Sequence, residues 1–150
     1  MFTMEMEPTA RAIAYVAHVG QTDKAGEPYI HHPERVASFF DPKSYELRTI
    51  AWLHDVVEDS SVSLETLAEI GFEKHTLEAI RCITHLPNEP RAEYYARVKQ
   101  NNYARQVKIA DIADNLNEFR LGRLDPKEAM RLRVKYAEAL EALSTKAGEL

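Results

Sequence analysis

The sequence predicts an all-α protein folded as one domain of 150 residues. Three observations carry that expectation. Apolar residues recur at three- and four-residue spacing along most of the chain, as the inward face of a helix requires. No segment alternates apolar and polar residues with the clarity a half-buried strand needs. The 5 glycines and 7 prolines are few and fall where helices should break. The length suits a single domain with a sizeable core.

Taken in order, residues 8–21 read as the first helix, with Ile13, Val16 and Ala17 on its apolar stripe. His18 beside that stripe reads as a packed or capping histidine. Residues 22–33 form a loop in which Gly26 permits a tight turn and Pro28 and Pro33 stiffen the backbone. Pro33 suits the first turn of a short helix over 34–40. His31 and His32 then sit at a rigid loop-to-helix junction, a place where the backbone sets a ligand's direction. Two exposed loop histidines are the plainer reading of either one alone. A long helix follows over 44–59, then Ser63 caps a helix over 64–70 that Gly71 ends. Residues 75–85 form another, with Leu77, Ile80, Ile83 and Cys82 inward and His75 and His85 at its surface or ends. Pro87 and Pro90 break the chain before a polar helix over 91–100 with a Tyr94-Tyr95 pair. A helix over 103–121 comes next. Asp125, Pro126 and Glu128 then open the last helix as N-cap, first and third residues, and it runs to about 145. Leu132, Tyr136, Ala139, Leu140 and Leu143 form its packing stripe, and Gly148 follows.

Two of these helices carry chemistry. On a helical wheel centred on His54, Glu58 falls at about 40°, Asp55 at about 100° and Asp59 at about 140°. Ile50, Trp52, Leu53, Val56 and Val57 fill the opposite arc and can enter a core. Like charges at these spacings repel, and acids near a helix C-terminus oppose the macrodipole. A divalent cation would offset both penalties, and imidazole with carboxylate suits Mn, Fe, Zn or Co better than calcium. A solvated acidic helix end explains this stretch equally well. On the 103–121 helix, Asp111, Asp114, Asn115 and Glu118 share a polar face, while Ile109, Ile112, Leu116 and Phe119 lie opposite. Alone, that polar face is best read as solvated.

Composition narrows the classes. Hydrophobic residues make up 45% and charged residues 29%, as in ordinary soluble domains. A net charge of -5 with no long cationic run disfavours nucleic acid as a partner. No apolar run approaches the roughly 20 residues of a membrane span, and the N-terminus lacks the basic start and apolar stretch of a signal peptide. Cys82, the single cysteine, has no partner in the chain for a disulfide and reads as a core residue. A reducing, cytoplasmic setting is expected.

Together the pieces are more specific than any one of them. His32, the His54-Asp55 doublet and Asp111 resemble the ligand set of the HD-domain metal-dependent phosphohydrolases. Gly26-Glu-Pro-Tyr-Ile-His-His-Pro33, His54-Asp-Val-Val-Glu-Asp59 and Val107-Lys-Ile-Ala-Asp-Ile-Ala-Asp-Asn115 resemble the hydrolase domain of the bifunctional alarmone synthetase/hydrolases. They resemble the stand-alone small alarmone hydrolases still more closely. The likeness covers residues 9–145 or so, with the motifs in the family's order and spacing. It implies an HD-domain helical bundle that hydrolyses the 3′-diphosphate of (p)ppGpp to GDP or GTP and pyrophosphate. It leaves no room for a synthetase domain. By position it implies His32, His54, Asp55 and Asp111 as ligands to one Mn2+ per chain. Glu58 and Asp59 would handle the nucleophilic water and its protons. Lys24 would lie near the phosphates, Asn115 near the sugar and phosphates, and Tyr136 along the pocket; His31 matches no ligand position.

Two positions depart from the family. Asp23 stands where the family commonly has an Arg that packs on the guanine base, and a carboxylate offers no cation–π contact. Asn117-Glu118 stands where basic or small residues are common. Adenosine alarmones or another 3′-phosphorylated nucleotide are therefore alternative substrates. A nucleotidase on 5′-monophosphates and a nucleotide-binding sensor without turnover are the other readings.

Overall fold

The computed structural model of the chain describes residues 5–144. Its elements are α1 (Glu7–Ala17), α2 (His31–Ser38), α3 (Tyr45–Leu53), α4 (Val56–Asp59), α5 (Leu64–Ile70), α6 (Lys74–Ile83), α7 (Arg91–Gln100), α8 (Asn102–Asn115), α9 (Glu118–Leu121) and α10 (Pro126–Leu143). Among the described residues the only strand-like feature is an isolated bridge between Thr22 and Pro28. The all-α expectation holds.

Helix α3 is the centre of the bundle. It packs against α1, α2, α6 and α8, while α10 closes the far side against α7 and α8. Ile50, Ala51 and Leu53 lose all exposure there, and Trp52 nearly all. Fully burying Ile50 and Leu53 gives about 1.5–3 kcal/mol each. Across α1, the Glu7 carboxylate accepts from Arg48 Nε at 2.7 Å and from Trp52 Nε1 at 3.3 Å, so this acid is satisfied. Cys82 is buried, as expected.

The caps read from the sequence are present. Ser63 Oγ accepts from Thr66 N at 3.1 Å, Gly71 ends α5 with φ of 116°, and Asp125 Oδ1 accepts from Lys127 N at 3.0 Å. Helix α7 runs over the expected residues. On α10, Leu132, Ala139 and Leu143 are buried and Tyr136 and Leu140 partly so; the expected end near 145 and Gly148 lie outside the described residues. No helix among the described residues is long and apolar enough to cross a membrane.

Other boundaries differ, and each difference has a local cause. Helix α1 stops at Ala17, four residues short of the expected end, and Gly20 turns the chain with φ of 80°. Its buried face is Ala10 and Ala14, small residues against α3, whereas Val16 is 76% exposed. Helix α2 begins at His31, so His32 and Pro33 lie within its first turn. The expected 44–59 helix breaks in two. His54 Nδ1 donates to Ala51 O at 2.6 Å, the carbonyl a continuing helix would use, and Asp55 leaves the regular path with φ of -108°. The expected 103–121 helix also breaks, because Asn117 Oδ1 accepts from Arg120 N at 3.2 Å and starts a new turn, α9. Phe119, expected inward, is 79% exposed as a result. Helix α6 begins at Lys74 and ends at Ile83, leaving His85 beyond it.

Candidate metal centre and substrate cleft

Four side chains predicted as ligands meet at one point. Helix α2 brings His32, the break between α3 and α4 brings His54 and Asp55, and α8 brings Asp111. One ligating atom from each lies within 4.8 Å of all the others. His32, His54 and Asp111 are buried, and Asp55 is nearly so.

The proton positions in this cluster follow from its partners. Ala51 O can only accept, so His54 Nδ1 carries a hydrogen. In a neutral imidazole, Nε2 then presents a lone pair. It lies 3.0 Å from Asp55 Oδ2 and 3.5 Å from Asp111 Oδ1 without hydrogen-bond alignment. A buried acceptor aimed between two carboxylates is repulsive unless a cation sits there or the ring is doubly protonated. His32 repeats the pattern. Its Nδ1 lies 2.7 Å from Asp114 Oδ2 and its Nε2 2.7 Å from Asp111 Oδ1. Burial alone would lower both histidine pKa values, but the surrounding carboxylates outweigh it and raise them, His54 well above the ordinary range. Imidazole and carboxylate in this arrangement fit a transition-metal ion.

A further layer orients these groups. The Tyr29 hydroxyl donates to Asp55 Oδ2 at 2.5 Å. Lys108 Nζ lies 2.9 Å from Asp111 Oδ2, and Asn115 Nδ2 donates to Asp111 Oδ1 at 3.1 Å. Asp114 takes Arg35 Nε at 2.8 Å and Arg120 Nη2 at 2.7 Å on its other oxygen. Sequence reading gave Tyr29, Arg35, Lys108, Asp114 and Arg120 no role. Asp114 was placed on a solvated face, yet it is 5% exposed because α2 covers that side of α8. Lys108 had a signal, since it lies three positions before Asp111 on one helix.

Glu58 and Asp59 stand at the edge of the cluster, each with a carboxylate oxygen near Asp55. Glu58 Oε1 accepts from His85 N at 2.8 Å. Partial burial first, then the Asp55 charge, raises the pKa of both. Beside Asp59, Gln21 Nε2 donates to its backbone carbonyl at 2.9 Å and Gln21 Oε1 takes His18 Nδ1 at 2.7 Å. His18 is thus a packed histidine that braces α4.

The cluster opens onto two adjoining clefts. One, of about 290 Å3, runs from Thr22–Ala25 past Arg35 to Leu121, Leu124 and Leu132. The other, of about 210 Å3, holds Glu58, Asp59, Arg91, Lys108 and Lys135. Tyr29, Asn115 and Tyr136 line both. Lys24 lies on the rim of the first cleft, with Nζ 2.6 Å from Glu128 Oε1. Asp23 is committed to its own loop, since Oδ1 accepts from Ala25 N and Glu27 N at 2.9 Å each.

No protein-family model matches the chain. Curated relatives do. The chain is 29% identical over 152 residues to the bifunctional (p)ppGpp synthase/hydrolase SpoT of Escherichia coli, covering 93% of this chain and 21% of that protein. It is 31% identical over 149 residues to a guanosine-3′,5′-bis(diphosphate) 3′-pyrophosphohydrolase of Vibrio cholerae, covering 91% of this chain and 21% of that one. The chain thus spans about a fifth of the length of these curated relatives. Its fold matches the solved structure of a metazoan ortholog of SpoT that hydrolyzes ppGpp, with a TM-score of 0.77 and 20% identity, over 99% of this chain and 91% of that one.

Proposed function

We propose that the chain is an HD-domain hydrolase of the (p)ppGpp hydrolase branch and that it removes pyrophosphate from the 3′-diphosphate of a guanosine alarmone. The observation that carries this reading is the convergence of His32, His54, Asp55 and Asp111 beside two acids at the cleft surface, Glu58 and Asp59. His32, His54, Asp55 and Asp111 would hold one Mn2+, which supplies Lewis acidity at a phosphoryl oxygen and a lowered water pKa. The protein's part is positioning and proton transfer. Glu58 and Asp59, with pKa values raised toward neutrality, take the proton of the attacking water. Water oxygen adds to the phosphorus next to the ribose, the P–O3′ bond breaks, and the 3′ oxygen leaves with a proton. GDP or GTP and pyrophosphate are the products. Asn115 and Tyr136, lining both clefts, would hold the sugar-phosphate junction, and Lys24, on the rim of the larger cleft, would lie near the phosphates. A cytoplasmic setting suits such a substrate.

Product analysis with Mn tests this reading. The guanosine tetraphosphate alarmone is expected to release pyrophosphate, and a plain 5′-monophosphate to release no orthophosphate. Turnover of the adenosine alarmone alone would overturn the guanosine assignment, and turnover of the monophosphate alone would overturn the reaction. The metal assignment has its own check. Asp114→Asn is expected to weaken Mn binding about 10–100-fold, because the residue behind a ligating histidine fixes its tautomer and orientation. A Mn titration giving equal affinity for both proteins would remove Asp114 from the account.

A further inference from the structure

The face of α10 turned away from the clefts has a charge order of its own. On a helical wheel centred on Val134, Lys127, Met130, Glu138 and Glu141 fall within about 40°, and Arg131 and Ala137 at about 60° on either side. All are exposed, Met130 by 57% and Val134 by 50%. Leu132, Lys135 and Tyr136, which line the clefts, lie about 100° or more away. The spacing is that of a heptad seam: Lys127, Val134 and Glu141 recur every seven residues, with Met130 and Ala137 between them. Bases stand at the N-terminal end of this stripe, apolar residues in its middle and acids at its C-terminal end. For a lone helix that order is unfavourable, because the macrodipole prefers acids in the first turn and bases in the last. Arg131 is held by Glu128 at 2.7 Å. Among the described residues no side chain pairs with Lys127, Glu138 or Glu141. Along one edge, Arg133 Nη2 donates to Glu118 at 2.7 Å and sets α9 beside α10, with Phe119 79% exposed.

Such a stripe complements itself in one orientation. Laid parallel, two copies would set bases against bases and acids against acids. Laid antiparallel about a twofold axis at Val134, Lys127 of each copy meets Glu141 of the other, and Arg131 lies beside Glu138. Met130, Val134 and Ala137 close the middle, with Val134 against its own counterpart. A single patch that complements itself is what a twofold dimer requires, and a heptad seam suits the shallow crossing angle of paired helices. The facing charges also relieve the misplaced ones at both ends of the helix. We propose that α10 is a dimer interface, on which a second copy of this chain docks antiparallel along the stripe from Lys127 to Glu141. One helix per copy is a small contact, below the about 1,200 Å2 typical of stable complexes, so the dimer is weak and exchanges with monomer. Both clefts stay open in it, because the residues of α10 that line them point away from the seam.

Sedimentation velocity of the whole chain, from about 10 to about 500 µM, tests the pairing. Wild type is expected to pass from monomer toward dimer across that range. Lys127→Glu sets acid against acid twice, by symmetry, and should weaken association about tenfold; Glu141→Lys should do the same with bases. Each change suits the helix macrodipole, so α10 stays intact and the melting temperature of dilute protein should not fall. The double variant Lys127→Glu/Glu141→Lys is expected to regain wild-type association. Val134→Glu, which meets itself at the axis, should weaken association about a hundredfold. A wild type that stays monomeric throughout would overturn the pairing and leave the face to a different partner. A dimer indifferent to Val134→Glu would place the contact on another face. A double variant that associates no better than the single ones would reject the antiparallel order, and either result overturns the proposal.

Discussion

Asp111→Asn is expected to leave a folded protein that retains no divalent ion and turns over at least about a thousandfold more slowly than wild type. Asp111 is where the most interactions meet. One carboxylate takes His32 Nε2 at 2.7 Å, Lys108 Nζ at 2.9 Å and Asn115 Nδ2 at 3.1 Å, with His54 Nε2 3.5 Å away. Burial opposes its charge, but Lys108 and the two histidines hold its pKa well below the usual carboxylate range. An amide keeps the shape and loses the charge, so a cation at this point loses one of its two buried carboxylates. The same change leaves Lys108 without its counter-charge, and a hydrogen bond to a charged group is worth about 1.5–3 kcal/mol. The metal-free variant should therefore melt somewhat lower than metal-free wild type. The decisive readout is the response to Mn. At a hundred times its Kd, a ligand stabilises a protein by about 2.7 kcal/mol, so wild type should melt higher with Mn and the variant should not. A variant whose melting still rises with Mn would show that Asp111 is not a ligand.

How much of this site was legible in the sequence depended on whether a residue's direction is set locally. Ser63, Gly71 and Asp125 act within one turn of their own helix, and local pattern was enough to place them. The two breaks were not legible because side chains make them. His54 takes the carbonyl that would extend α3, and Asn117 caps a turn that periodicity alone would continue from α8. Wheel arithmetic across 44–59 and 103–121 assumed unbroken helices. That assumption put Phe119 inside and left Asp114 in solvent. The spacing of His54, Asp55, Glu58 and Asp59 still placed them together, since the break spans only His54 and Asp55 and α4 follows at once. Arg35, Tyr29 and Arg120 meet the site from separate elements, and only the packing of α2 on α8 and the loop before α2 brings them there. The motif resemblance named the four clustered groups before any geometry did. Of the residues that hold them it named only Asn115, and that one for the nucleotide.

The break between α3 and α4 also separates two duties that a continuous helix would merge. Leu53 and Val56 stay fully buried on either side of it. Between them, His54 and Asp55 turn their polar atoms to the cluster, and Tyr29 fixes Asp55 from the loop. The core thus anchors both flanks of the doublet, which is the rigidity that positioned chemistry needs.

Asp59→Asn is expected to bind Mn as wild type does and to lose about 10²–10⁴ in kcat. The neighbouring acids differ in how they are held. Glu58 has an oxygen fixed by the His85 N–H at 2.8 Å. Among the described residues nothing donates to the Asp59 side chain, while its backbone is tied down by Asp55 O at 2.9 Å and by Gln21 at 2.9 Å. A carboxylate that is free at its tip and fixed at its base can take a proton without first breaking a hydrogen bond. Partial burial and the adjacent Asp55 charge raise its pKa, as they do that of Glu58, which makes it a stronger base than an ordinary carboxylate. Removing its charge relieves repulsion among Asp55, Glu58 and Asp59, so the variant should be no less stable than wild type. That separates a chemical role from a structural one, because a bracing residue would lower the melting temperature along with the rate. Glu58→Gln keeps an oxygen for the His85 N–H and should lose less activity than Asp59→Asn. If Asp59→Asn turns over near the wild-type rate while Glu58→Gln is dead, the proton goes to Glu58. If both variants remain active, neither acid is the base, and the assignment of both falls.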